Sequence, residues 1–107
     1  MSKPGKARYK LESVRASYAD AVGGDRVEFE VGDGQVFTFP HPIFTPDHMQ
    51  RELDSAKGDE AGARILLGDQ WAAFVDAGGE ANSLMLLYVA VRNEATDTVQ
   101  KHRPTRG

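Results

Sequence analysis

Cysteine is absent from the 107 residues. That removes disulfides and thiolate metal ligands together, and it is compatible with a reducing compartment. Long apolar runs are missing too. The longest, Leu84 to Val91, falls far short of the roughly 20 residues a membrane-spanning helix needs. The N-terminal residues are basic but carry no apolar segment of the signal-peptide kind. The three histidines, His41, His48 and His102, lack the spacing of a metal pair. His41 lies between two prolines and His48 in a charged stretch, so both are expected at the surface. Asp25, Glu28, Glu30 and Asp33 do not make the calcium-loop pattern, and Ser13, Ser17, Ser55 and Ser83 stand in no nucleophile-elbow context. The glycine motifs of nucleotide-binding loops are also missing. No catalytic pair, cofactor or metal is expected, and the composition points away from an enzyme.

The formal net charge of −3 hides an asymmetry. Residues 1–15 carry +4, residues 16–91 carry −9 and residues 92–107 carry +2. An acidic body between basic ends would repel phosphate backbones, so nucleic acid is not an expected partner, and neither is a membrane. The chain reads as soluble and cytoplasmic.

The length suits one domain, which buries roughly 60 to 65 per cent of its unfolded surface. Residues 1–10, broken by Pro4 and Gly5, read as a disordered basic arm. Residues 11–95 form the expected globular domain, and residues 96–107 a disordered polar tail. Leu11, Val14 and Tyr18 predict a short amphipathic helix ending near Gly23-Gly24. Val27, Phe29 and Val31 alternate with Arg26, Glu28 and Glu30, a period of two that marks a strand with one wet face. Gly32-Asp33-Gly34 then separates it from Val36-Phe37-Thr38-Phe39, which predicts a β-hairpin. Its register decides which of Val27, Phe29, Val31, Phe37 and Phe39 point inward. Pro40 and Pro42 end the second strand. Thr45-Pro46-Asp47 reads as a helix start with Thr45 as N-cap, followed by a helix fading at Lys57-Gly58. Residues 58–62 read as a polar loop, and Ala63 to Leu67 as a short helical turn.

Leu66-Leu67-Gly68-Asp69-Gln70-Trp71-Ala72-Ala73-Phe74-Val75-Asp76-Ala77-Gly78-Gly79 organises the rest. Asp69 is placed to cap a helix, Trp71, Phe74 and Val75 share one helical face, and Gly78-Gly79 ends it. Trp71 and Phe74 are the expected core anchors, with Trp71 joining the hairpin to the C-terminal helices. A closing helix is predicted over about 80–93, capped by Asn82 or Ser83. Leu84, Leu87, Tyr88 and Val91 should face inward. Met85, Leu86 and Val89 are then left over as a candidate partner-binding patch. The predicted class is α+β: a small single domain with an N-terminal β-hairpin followed by a mostly helical C-terminal half.

The Leu-Leu-Gly-Asp-Gln-Trp-x-x-Phe-x-x-Ala-Gly-Gly signature of Leu66–Gly79, with the Phe39-Pro40-x-Pro42 strand exit, resembles the tail assembly chaperones of long-tailed bacteriophages, particularly those infecting actinobacteria. The likeness extends over about residues 11–95. It implies a non-enzymatic protein of the host cytoplasm that coats the tape-measure protein, keeps its apolar helices soluble and helps recruit tail-tube subunits. It also implies that a chain ending at Gly107 is the short form of a frameshifted pair. Unlike typical members, with acidic tails, this chain ends in the basic Lys101-His102-Arg103-Pro104-Thr105-Arg106. Self-association through the leftover patch is a competing use of it. A small structural connector or tail protein of the particle, or a generic interaction module with basic arms, are the alternative functions.

Overall fold

The alternating residues form the hairpin that the sequence predicts. Strand β1 (Arg26–Val31) pairs antiparallel with β2 (Gln35–Pro40), in the register Val27 opposite Phe39, Phe29 opposite Phe37 and Val31 opposite Gln35. Gly34 takes a φ of 89° in the turn, a left-handed conformation that glycine adopts without a Cβ penalty. The register puts Val27, Phe29, Val31, Phe37 and Phe39 on one face. Phe37 and Phe39 are buried, and the three β1 residues are half-buried against the core. Val36, on the opposite face, is exposed.

The computed structural model describes residues 8–103. Helix α1 (Leu11–Val22) precedes the hairpin; a 3-10 turn (Pro42–Phe44), α2 (Asp47–Ser55), α3 (Asp59–Leu67), a second 3-10 turn (Gly68–Gln70), α4 (Trp71–Asp76) and α5 (Ala81–Lys101) follow it. The class is α+β, as expected. A two-stranded hairpin is marginal alone in water, so its apolar face must be covered. Leu66 and Leu67 of α3, Phe74 of α4 and Leu84 and Tyr88 of α5 cover it. Phe74 meets Phe37 edge-on at 5.9 Å between ring centres, and Tyr88 lies 5.8 Å from Phe39. Each fully buried aromatic contributes about 1.5–3 kcal/mol through apolar area alone.

Several local expectations give way to packing. Of the stretch expected as a loop at 58–62, all but Gly58 belongs to α3, because Gly62 and Ala63 are buried and Gly62 receives the Met85 side chain, whose Cε would lie 3.0 Å from a Cβ there. Asp69 caps nothing: the chain passes through the 3-10 turn, and α4 begins at Trp71 without a side-chain cap. Thr45 likewise stands outside α2, its hydroxyl donating to the Pro42 carbonyl at 3.2 Å, while Pro46 takes the N-cap position. Glu80 rather than Asn82 or Ser83 precedes α5.

The largest departure is the tail. Helix α5 runs past Asn93 to Lys101, through residues assigned to a disordered segment. Ala95 is buried, Lys101 pairs with Asp97 at 3.2 Å and the Thr96 hydroxyl donates to the Arg92 carbonyl. Beyond the helix, His102 is tied to α1: Ser17 Oγ lies 2.7 Å from its Nε2, and the Tyr18 hydroxyl donates to its carbonyl at 3.4 Å. Tertiary contact with α1 therefore carries a polar sequence into helix. Residues 1–7 of the arm and 104–107 of the tail lie outside the described residues.

Candidate functional site

Helix α5 has three working sides, set by 3.6 residues per turn. Leu84, Tyr88 and Ala95 form the buried ridge. Met85, Val89 and Arg92 lie to one flank, where they line a cleft of about 290 Å³ with Gln50, Leu53 and Asp54 of α2. Ser83, Leu87 and Glu94 lie to the other flank, facing β1. Leu86 stands two residues from Leu84, a rotation of about 200°, and so points away from the core.

That outward side carries an apolar strip. Leu86 is 63% exposed, Val89 is 39% exposed, and Ala90 beside them is exposed as well. The three predicted patch residues thus separate. Leu86 and Val89 are at the surface, whereas Met85 is half-buried and packed over Gly62. Leu84 and Tyr88 are buried and Leu87 and Val91 half-buried, on the inward side where the spacing placed them.

The core anchors separate too. Phe74 is 2% exposed, and a Cβ at Gly79 would fall inside the van der Waals envelope of its ring. Trp71 is only half-buried. It stacks on Phe74 at 5.6 Å between ring centres and carries the Arg64 guanidinium over its outer face at 5.3 Å. Val75, expected on the same buried face, is 47% exposed. The anchor of this stretch is therefore Phe74, with Trp71 as its outer cover. A six-residue helix turns only its central aromatic fully into the core.

Two positions escaped the sequence reading. Gln70 closes one edge of the hairpin: its Oε1 accepts from the Thr38 N–H at 3.0 Å, and its Nε2 donates to the Thr38 carbonyl at 2.7 Å and to the Leu67 carbonyl at 3.3 Å. An isolated glutamine before a tryptophan gives no periodicity that would announce this. His41, expected at the surface, is 4% exposed. Its Nδ1 accepts from the Ile43 N–H at 3.3 Å, holding the 3-10 turn that the flanking prolines permit. Burial pushes its pKa below the usual histidine value, which favours the neutral ring with the proton on Nε2. The ring borders a cavity of about 360 Å³ lined also by Arg26, Glu28 and Glu94.

Among the described residues, no three His, Asp or Glu side chains gather as a metal site, and no helix is long and apolar enough to cross a membrane. No protein-family model, curated protein or solved structure matches the chain.

Proposed function

We propose that this protein is a non-enzymatic assembly chaperone, a phage tail assembly chaperone that holds amphipathic helices of the tape-measure protein in the host cytoplasm and assists tail-tube assembly. The observation that carries the reading is the exposed apolar strip Leu86–Val89–Ala90 on α5, bordered by the cleft that Leu53 and Met85 line. The strip has the spacing of a helix-in-groove contact, in which a partner helix lays its apolar face along i, i+3 and i+4 positions. The resemblance of Leu66–Gly79 to the tail assembly chaperones supplies the partner.

Because Met85 packs over Gly62, charging it would disturb the fold as well as the surface. Leu86→Glu with Val89→Glu is the cleaner perturbation. Co-expressed with a tape-measure fragment, the wild-type protein should co-purify with it, and the double variant should not, while its circular dichroism and melting point stay unchanged. Retained binding by the folded variant would place the contact elsewhere. Failure of the wild-type protein to solubilise the fragment would remove the chaperone reading. A concentration-dependent oligomer that the double variant abolishes would assign the strip to self-association.

A further inference from the structure

The hairpin has two edges, and the chain closes only one. On β2, the Thr38 N–H and carbonyl are both taken by the Gln70 side chain, and Pro40 has no N–H to offer. Thr38 stands opposite Glu28, so Glu28 turns its own N–H and carbonyl away from β2. Alternation gives Arg26 and Glu30 the same outward set. Among the described residues, none of these outward groups on β1 has a hydrogen-bond partner. Beside this edge run two clefts. One, of about 360 Å³, lies between Arg26–Glu28, the Ala21–Gly23 end of α1 and the Val91–Thr98 segment of α5; the other, of about 340 Å³, lies between Phe29–Val31 and the Glu80–Leu87 segment. Between them the two clefts border every residue of β1, a furrow in two parts.

We propose that this furrow takes an extended segment of a partner protein as a third strand on β1, and that the segment alternates basic with apolar residues. Both parts follow from the pleat. Residues of an added strand that lie beside Phe29 and Val31 turn toward Leu87 of α5, an apolar floor, and the one beside Val27 turns toward Val91, where Glu94 and Thr98 make the lining more polar. Residues beside Glu28 and Glu30 turn to the outer face, next to those carboxylates. Glu80 and Glu94 add negative charge along the furrow. The single guanidinium present, on Arg26, is already engaged with Thr38 Oγ1 at 3.1 and 3.0 Å. A second copy of β1 fits poorly, because it would bring its own Glu28 and Glu30 against these. This surface is separate from the Leu86–Val89 strip on the other side of α5, and neither reading depends on the other.

The probe is a six-residue peptide of alternating lysine and valine, matched to the six residues of β1 and capped at both ends. Titration followed by fluorescence anisotropy should show saturable binding that weakens as salt is raised. N-methylating the peptide amides that face β1 should weaken it by at least about tenfold, because main-chain hydrogen bonds carry strand addition. A glutamate–valine peptide should not bind wild-type protein but should bind Glu28→Lys with Glu30→Lys. The Leu86→Glu, Val89→Glu variant should bind the lysine peptide as wild type does. In amide exchange, the Glu28 and Glu30 N–H groups should exchange fast in the free protein and slow on peptide addition. Binding indifferent to N-methylation would overturn the proposal. So would no binding at all, or Glu28 and Glu30 amides that are protected in the free protein or become so with rising protein concentration alone.

Discussion

Replacing Gln70 with alanine tests how the hairpin is held to the helices. The side chain makes three hydrogen bonds, two to Thr38 and one to Leu67, in a partly buried setting. Each such bond contributes about 0.5–1.5 kcal/mol net, and a donor left without a partner costs about 1–3 kcal/mol when water cannot reach it. Thr38 is half-buried, so water recovers part of the loss. The expected destabilisation is therefore about 1.5–2.5 kcal/mol. For a domain of this size that lowers the melting point by roughly 6–15 °C. Gln70→Glu discriminates the cause. Its carboxylate keeps the acceptor for the Thr38 N–H but loses both bonds donated by Nε2 and sets negative charge against two carbonyl oxygens. At neutral pH it should be at least as damaging as alanine. As the side chain protonates in acid, a hydroxyl donor returns and its deficit relative to wild type should narrow. Scanning calorimetry gives the melting points, and amide exchange at Thr38 reports the bond itself. An alanine variant with unchanged melting point and unchanged Thr38 protection would refute the bridging role.

Three further outcomes are expected. Phe74→Ala should cost about 3–5 kcal/mol, and Trp71→Ala, with its outer face under Arg64, about 1–3 kcal/mol; equal losses in urea denaturation would contradict the assignment of Phe74 as anchor. His41 has a lowered pKa in the folded protein, so the unfolded chain binds more protons as pH falls through about 6.5 and stability declines from there down to the folded value. Melting points measured from about pH 7.5 to about pH 5.5 should fall more steeply for wild type than for His41→Asn, which keeps an acceptor for Ile43 but cannot titrate. Parallel profiles would show that His41 does not carry the dependence. Leu86→Glu with Val89→Glu should change stability by less than about 0.5 kcal/mol, since both side chains are at the surface; a larger loss by thermal melting would show that the strip is structural.

What the sequence made legible was what repeats. Val27, Phe29 and Val31 announce their strand by alternation, and the register then places all five candidate residues on one face. Leu84 and Tyr88 announce the inner side of α5 in the same way, by helical spacing. What remained hidden depends on single long-range contacts. Nothing local marks Gly62 as a helix residue; it is one because Met85, on another element, needs the space that a Cβ would fill. Nothing in Thr96–Lys101 is apolar enough to predict helix, yet Ala95 just before it and His102 just beyond it are held against the rest of the fold. His41 is buried because its Nδ1 is needed by the backbone two residues on, an interaction that proline neighbours conceal rather than reveal. Asp69 shows the opposite error: a good capping residue stands where the chain enters a 3-10 turn, and no orphan N–H comes to it.

The two proposed surfaces share one mechanical support. Helix α5 forms the back wall of the β1 furrow with Leu87 and Val91, and it presents Leu86 and Val89 on the outward side. Its position is fixed at both ends by contacts of different kinds. Near the N-terminal end, Met85 seats in the space over Gly62, and Asn82 Nδ2 donates to Asp59 at 3.1 Å. At the far end, Ser17 and Tyr18 of α1 hold His102. The middle of the helix rests on Phe39 through Tyr88 and so on the hairpin itself. A strand entering the furrow therefore presses on an element braced from three directions, and needs no rearrangement of the core to find its floor. The charges at the rim then act as a filter on what enters. Like-charged edges repel, so Glu28 and Glu30 keep copies of the chain from pairing through β1 while leaving the backbone groups between them open to a strand of opposite charge.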